Sequence, residues 1–265
     1  MTSYKRYTDS SQHIPFKRTT LLTFLFFLYL YSRSIHNMPP LCIVASMTIQ
    51  SDAESLAKYE SLFLERAAQI YSTEPDVLLF QLCKAPKNPG EYYVIELYKD
   101  EAAFKAHLAL FKNGAENQAA RAALQIGKTA VQFLDVVGNT GFKEGKKPTM
   151  AIIAEIPLKD SSTESIAGFE KATLPLMDDV QSKESGNLLY CLGKQRKTFK
   201  SQNDYESKCI FTELYTDASA IQLHGSTDYF KAGGKRQAPF IGGKPNVKIL
   251  QTVGFKPSSS VAGSL

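Results

Sequence analysis

The sequence has few of the residues that build metal centres. It contains no tryptophan, four histidines and four cysteines in 265 residues. The cysteines are Cys42, Cys83, Cys191 and Cys209. None belongs to a C-x-x-C pair, and a zinc site needs closely spaced ligands of this kind. We therefore predict no metal site, and we expect the cysteines to be small buried residues in a reducing compartment.

Positive charge is scarce in the body of the chain. The formal net charge is +5, but residues 1–37 hold five basic side chains and one acidic side chain, so the rest is close to neutral. A surface that binds nucleic acid needs clustered lysines and arginines. We predict no nucleic-acid partner.

A nucleotide-binding fingerprint is also absent. The glycine-rich stretch KAGGKRQAPFIGGK, residues 231–244, lacks the spacing of a P-loop or a dinucleotide-binding turn. We expect it to form a loop near the mouth of a pocket.

The N-terminal segment lacks a full-length transmembrane helix. Its apolar run, Thr19–Ser32, has 14 residues, whereas a spanning helix needs about 20. Three interpretations stay open: a start at Met38 that makes residues 1–37 dispensable, a membrane signal or anchor, and a targeting peptide. We predict a cytoplasmic protein, with membrane anchoring or targeting as the alternative if Thr19–Ser32 is retained.

One phrase occurs twice in the chain. ELYKDEAAFKAHL begins at Glu96, and ELYTDASAIQLHG begins at Glu213, 117 positions later. EPDVLLFQLCK and ESGNLLYCLGK, which precede these phrases, are 110 positions apart. The second copy therefore holds about seven extra residues, which we assign to a longer hairpin loop in KTFKSQNDYESK.

A repeat of this length indicates two related domains. We predict an N-terminal extension (1–37), a first domain (38–140), a linker (141–148), a second domain (149–255) and a flexible tail (256–265).

Each copy has the pattern β-α-β-β-α-β. Apolar residues at helical spacing follow the first strand, and two β-rich segments then flank a hairpin loop. This order is that of a ferredoxin-like domain, whose sheet has helices on one face and a bare apolar face on the other. We predict an α+β fold in which the two sheets cover each other's bare faces and close into one barrel. The assembly would be a monomeric pseudo-dimer or a homodimer.

Each copy resembles a domain of the antibiotic biosynthesis monooxygenase family, within the dimeric α/β-barrel superfamily. The resemblance rests on a turn that begins with Glu74 or Glu184, a strand that ends in Glu-x-Tyr, and an Asp-x-x-Ala-x-x-x-His helix start. It covers about residues 41–138 and 149–255. Haem-degrading relatives use an Asn-Trp-His set, which a chain without tryptophan cannot supply.

The resemblance implies a cofactor-independent oxygenase that binds a small aromatic or quinone-like molecule between sheet and helices. His107 and His224 are the candidate catalytic residues, because histidine transfers protons near neutral pH. The candidate substrate-binding residues are Tyr98, Tyr215, Glu96, Glu213, Phe104, Thr227 and Phe230.

A structural interpretation competes with this one. A helix-borne histidine beside tyrosine and glutamate also serves as a hydrogen-bonded core residue. Only the second copy keeps the family's downstream Thr and Phe, so one site could be active and the other degenerate. The alternative function is therefore a non-catalytic, ligand-binding or stress-related barrel protein.

Overall fold

The computed structural model describes residues 39–111, 115–139, 141–143 and 145–254. The predicted extension 1–37, with its apolar run, and the predicted tail 256–265 lie outside these ranges. Within the described ranges, no helix is both long enough and apolar enough to cross a bilayer. The residue bounds of the two domains stay a prediction.

The first repeat folds in the predicted β-α-β-β-α-β order, with its second helix divided in two. Its elements are β1 (Leu41–Ile49), α1 (Ala53–Thr73), β2 (Val77–Lys84), β3 (Glu91–Tyr98), α2 (Glu101–Phe111), α3 (Ala115–Leu124) and β4 (Gln125–Asn139). Asp100 begins α2 as an N-cap residue, since its Oδ1 accepts a hydrogen bond from Ala103 N at 2.8 Å.

The second repeat follows the same order. Its elements are β5 (Met150–Pro157), α4 (Thr163–Lys183), β6 (Asn187–Arg196), β7 (Tyr205–Tyr215), α5 (Ala218–Ser226), α6 (Asp228–Gln237), a 3-10 turn (Ala238–Phe240) and β8 (Asn246–Val253). Asp217 begins α5, as Asp100 begins α2, with its Oδ1 3.0 Å from Ala220 N.

The expectation of a loop at residues 231–244 is wrong for its first part. Residues 231–237 are helical, and Thr227 caps their helix by accepting a hydrogen bond from Phe230 N at 3.2 Å. The glycines serve packing here: a Cβ on Gly233 would lie 2.9 Å from Leu176 Cδ2, so glycine lets α6 approach α4 closely.

The two sheets close into one antiparallel barrel with the strand order β1-β3-β2-β8-β5-β7-β6-β4. Two seams join the repeats: β4 pairs with β6, and β2 pairs with β8. The predicted fold, two ferredoxin-like units that cover each other within one chain, is confirmed.

Alternate strand residues point into the barrel or towards the helices. Cys42, Val44 and Ile95 belong to an interior cluster that also includes residues of β5 and β7. Their neighbours Ile43 and Ala45 pack towards the helices of the first repeat. All four cysteines are buried and free, as predicted. The helix-facing side of each sheet is thus the place where a helix-borne histidine and a strand-borne glutamate can meet.

Candidate active site

A cavity of about 540 Å³ lies in the first repeat, between its helices and the outer face of its sheet. Ile43 and Val94 line it from the strands, and Phe104 and His107 line it from α2. The strand residue Glu96 also contributes to its wall. Its volume and mainly apolar lining suit a small organic ligand with a few polar groups.

His107 is held in the cavity wall by a buried carboxylate. Its Nδ1 lies 2.7 Å from Glu74 Oε2, and the histidine side chain is 5% exposed. Arg66 Nη2 lies 3.3 Å from the other oxygen of Glu74. The carboxylate accepts a hydrogen bond from Nδ1–H, so Nε2 is the basic atom of the neutral ring. This arrangement fixes both the orientation and the tautomer of the imidazole.

Glu96 is the carboxylate of the cavity wall. The Tyr98 hydroxyl donates a hydrogen bond to Glu96 Oε2 at 2.6 Å. Burial raises the pKa of Glu96 above its ordinary value, although Tyr98, His107 and Arg121 each act to lower it. Tyr98 itself is fully buried and contacts Glu96 from behind the cavity wall. Its hydroxyl therefore orients the Glu96 carboxylate and does not itself line the cavity.

Arg121, on α3, places positive charge at the same cavity. Burial lowers the pKa of its guanidinium, while the charge of Glu96 opposes that shift. Arginine stays protonated in proteins. Carboxylate, imidazole and guanidinium groups thus line one mainly apolar space.

The second repeat keeps the same buried pair. His224 Nδ1 lies 2.8 Å from Glu184 Oε1, and the Tyr229 hydroxyl donates to that oxygen at 2.9 Å. Tyr215 donates to Glu213 Oε2 at 2.5 Å, which matches the pair of Tyr98 and Glu96.

Larger side chains surround the pair of the second repeat. Phe211 pairs with Ala154 as Val94 pairs with Ala45, so a phenyl ring stands where the first repeat has an isopropyl group. Phe211 packs 5.2 Å from the ring of Tyr190, and Glu213 is only 5% exposed. The space that matches the first-repeat cavity is therefore partly filled.

Two further predicted residues pack around His224. The ring of Phe230 lies 4.6 Å from the ring of His224. Thr227 Oγ1 donates to His224 O at 2.9 Å and caps α6. Phe230 thus covers one side of the His224 ring while its own side chain stays 37% exposed.

The predicted residues therefore fall into two groups. Those of the first repeat, His107, Glu96 and Phe104, share one cavity with Tyr98 behind it. Those of the second repeat, His224, Glu213, Tyr215, Thr227 and Phe230, lie around the matching space, which Phe211 partly fills.

Sequence reasoning missed Glu74, Glu184 and Arg121 as members of these sites. The glutamates carried a signal, because each begins the repeated phrase that precedes a histidine. No comparable pattern marked Arg121. Among the described residues, no group of three or more His, Cys, Asp or Glu side chains is placed to hold a metal ion.

Residues 40–119 match the family model described as antibiotic biosynthesis monooxygenase (ABM). The predicted resemblance is confirmed over this segment. The match contains Glu74, Glu96 and His107. The segment that matches this model thus supplies much of the lining of the cavity described above.

Solved structures share the fold of the whole described chain. A candidate monooxygenase from Lactobacillus acidophilus superposes with a TM-score of 0.68 at 16% identity, covering 83% of this chain and 97% of that one. A second candidate monooxygenase, from Fusobacterium nucleatum, gives 0.68 at 22% identity, covering 83% and 94%. An anthrone oxidase-like protein gives 0.51 at 11% identity, covering 86% and 97%. No curated protein matches the sequence.

Proposed function

We propose that this protein is a monooxygenase that oxygenates a small aromatic, quinol or polyketide-like substrate in the first-repeat cavity, without metal or flavin. One observation carries the proposal: His107 and Glu96 line the same apolar cavity, and each is held by a buried partner. The ABM match over residues 40–119 supports the reaction class.

Proton removal is the first task of the site. An enolisable ketone such as anthrone loses a proton from its methylene carbon to His107 Nε2, which leaves an enolate, and Glu74 stabilises the resulting imidazolium. Glu96, supported by Tyr98, hydrogen-bonds a substrate hydroxyl or carbonyl according to its own protonation state. Arg121 stabilises the oxyanion of the deprotonated substrate.

Dioxygen then reacts with the substrate carbanion. One oxygen atom bonds to carbon, and protonation gives a hydroperoxide. The hydroperoxide loses water and leaves a carbonyl group, so anthrone and O₂ give anthraquinone and H₂O. The substrate supplies all the electrons that reduce dioxygen, and the protein deprotonates, orients and desolvates it.

The second candidate is a non-catalytic barrel that binds a small ligand. It is favoured by the recurrence of the buried pair at His224 and Glu184, where large side chains occupy the neighbouring space. A pair of this kind can hold one helix to the C-terminal end of another without taking part in chemistry.

Dioxygen consumption by the full chain distinguishes the two candidates. Anthrone is supplied with chelator present and no flavin added, and uptake is compared with the uncatalysed rate. Uptake above that rate, with anthraquinone as product, is the expected result. Binding of anthrone with no added uptake would favour the ligand-binding protein, and absence of both would contradict the proposed cavity.

A further inference from the structure

The hairpin between β6 and β7 is longer than its counterpart in the first repeat. Strand β2 ends at Lys84 and β3 begins at Glu91, whereas β6 ends at Arg196 and β7 begins at Tyr205. Strands β6 and β7 are also longer than β2 and β3. Because β6 pairs with β4 across the seam, the extension reaches the helices of the first repeat.

Arg196 anchors the base of this hairpin on the first repeat. Its Nη2 lies 2.5 Å from Asp135 Oδ1 on β4, and its Nη1 lies 2.9 Å from Glu101 Oε2 on α2. All three side chains are less than a tenth exposed. The Tyr205 hydroxyl donates to the second oxygen of Asp135 at 2.9 Å. Two carboxylates of one repeat thus hold the cation of the other in a buried, hydrogen-bonded network.

Phe199 is the hairpin residue that reaches the cavity. Its ring centroid lies 5.3 Å from that of Phe104 and 5.1 Å from that of Phe133, and all three residues line the cavity. Arg196 Nη1 also donates to Phe199 O at 3.0 Å, which fixes the backbone at this point. The flanking residues Thr198 and Lys200 are exposed.

We propose that Phe199 is a specificity-determining residue, supplied by the second repeat, that selects planar polycyclic aromatic ligands for the first-repeat cavity. The inference rests on the proposed function, since it concerns the same site. Phe199, Phe104 and Phe133 form an aromatic wall, and aromatic rings attract one another through offset and edge-to-face contacts. A ligand of several fused rings contacts more of this wall than a single ring does.

Arg196 is a positioning residue in this arrangement. It holds the hairpin through Asp135, Glu101 and the carbonyl of Phe199, and its own side chain is buried among them. Through the long hairpin, the second repeat therefore contributes to ligand recognition in the first-repeat cavity, although the matching space of the second repeat is partly filled.

The test is isothermal titration of the full chain with 1,8-dihydroxyanthraquinone, a tricyclic probe, and with hydroquinone, a monocyclic one. Both are used as binding probes under conditions without turnover. In F199A, we expect the Kd of the tricyclic probe to rise about tenfold and that of hydroquinone to change less than about twofold. K200A, on the same loop, is the matched control and should leave both values unchanged.

R196M tests the anchor. It should raise the tricyclic-to-monocyclic Kd ratio in the direction of F199A and speed tryptic cleavage in the hairpin at Lys197 and Lys200. A purely structural role would lower stability without moving that ratio. F199A leaves the ion pairs in place, so it carries the test on its own if R196M does not fold.

The outcomes separate the two proposals. Tricyclic binding by the wild-type chain with an unchanged Kd in F199A would overturn the role of Phe199 alone. Absence of binding by the wild-type chain would overturn both this role and the proposed cavity.

Discussion

Glu74 and His107 are 33 positions apart in the sequence, yet Glu74 Oε2 lies 2.7 Å from His107 Nδ1 in a buried pair. The matching pair, Glu184 and His224, spans 40 positions with the same contact at 2.8 Å. The additional seven positions lie in the long hairpin between β6 and β7. They do not change the position of the turn that holds the glutamate or of the helix that holds the histidine. The two pairs are therefore equivalent, and the side chains around them distinguish the cavity of the first repeat from the partly filled space of the second.

Replacing each histidine by asparagine separates chemistry from packing. The amide of asparagine can still donate to the glutamate, but it cannot accept a proton. In H107N, we expect kcat with anthrone to fall by about 10²–10⁴-fold, the usual contribution of a general base. The fold-reduction of kcat in H224N should be at least about ten times smaller than that in H107N. Equal losses in the two variants would contradict the assignment of the reaction to the first repeat.

Glu74 should be important for stability as well as for orientation. In E74A, His107 and Arg66 lose a buried partner, and breaking a buried ion pair costs about 3–5 kcal/mol. Urea unfolding measures the change in the free energy of unfolding.

D76A is the matched control for E74A. Asp76 pairs with Lys99 on the surface at 3.4 Å, and such pairs contribute about 0–1 kcal/mol. A loss below about 1 kcal/mol in E74A would show that the pair does not stabilise the fold.

Glu213 should give the stability a defined pH dependence. Burial raises its pKa, and Glu184 adds to the rise, while His224 and the Tyr215 hydroxyl oppose it. The folded pKa of Glu213 therefore lies above its unfolded value. The protonated carboxyl contributes to the free energy of unfolding fully below about pH 4, and this contribution is lost as pH rises through the folded pKa. E213Q carries no charge and still accepts from Tyr215. Its stability relative to wild type should therefore increase from pH 4 to pH 8.

Urea unfolding at several pH values measures this difference. E65Q is the control, because Glu65 is exposed on α1 and its replacement should give a nearly constant difference. A difference for E213Q that stays constant, or that decreases with rising pH, would contradict the stated effect of burial.

Val94 is predicted to keep the first cavity open. V94F places a phenyl ring where the second repeat already accommodates Phe211, so the fold should be retained. We expect binding of 1,8-dihydroxyanthraquinone to be abolished, because Val94 lines the cavity. Titration calorimetry measures the binding, and circular dichroism checks the fold.

F211V is the reciprocal variant. It should leave binding in the first repeat unchanged and lower the free energy of unfolding by about 2 kcal/mol through the cavity that it creates. Binding that survives in V94F but fails in F211V would assign the ligand site to the second repeat.

The fold could be predicted because its signals are local and occur twice. The repeated phrases gave the element order of both repeats, and the bare face of a ferredoxin-like sheet required a partner. Strand alternation also placed Glu96 and Tyr98 on one face, where they form a hydrogen bond. The prediction of a loop from the glycine-rich stretch was wrong for residues 231–237, because Gly233 allows a close contact between two helices and does not form a turn.

The site was harder to predict because it depends on contacts between distant residues. Glu74 and His107 come from different elements, and Phe199 reaches the cavity from the other repeat. For the downstream Thr and Phe of the second copy, the structure adds a cap by Thr227 and a ring contact of Phe230 with His224, and their binding role stays a prediction. The sequence alone does not show that Phe211 partly fills the space that Val94 leaves open. This becomes visible only when the equivalent strands of the two repeats are compared.

The most direct test of the account is the fate of ¹⁸O₂ in the reaction with anthrone, followed by mass spectrometry of the quinone from wild-type and V94F proteins. We expect wild type to form anthraquinone with one ¹⁸O atom above the uncatalysed background, and V94F to form none above it. A quinone that takes its new oxygen from water, or equal labelled product from the two proteins, would contradict monooxygenation in the first-repeat cavity.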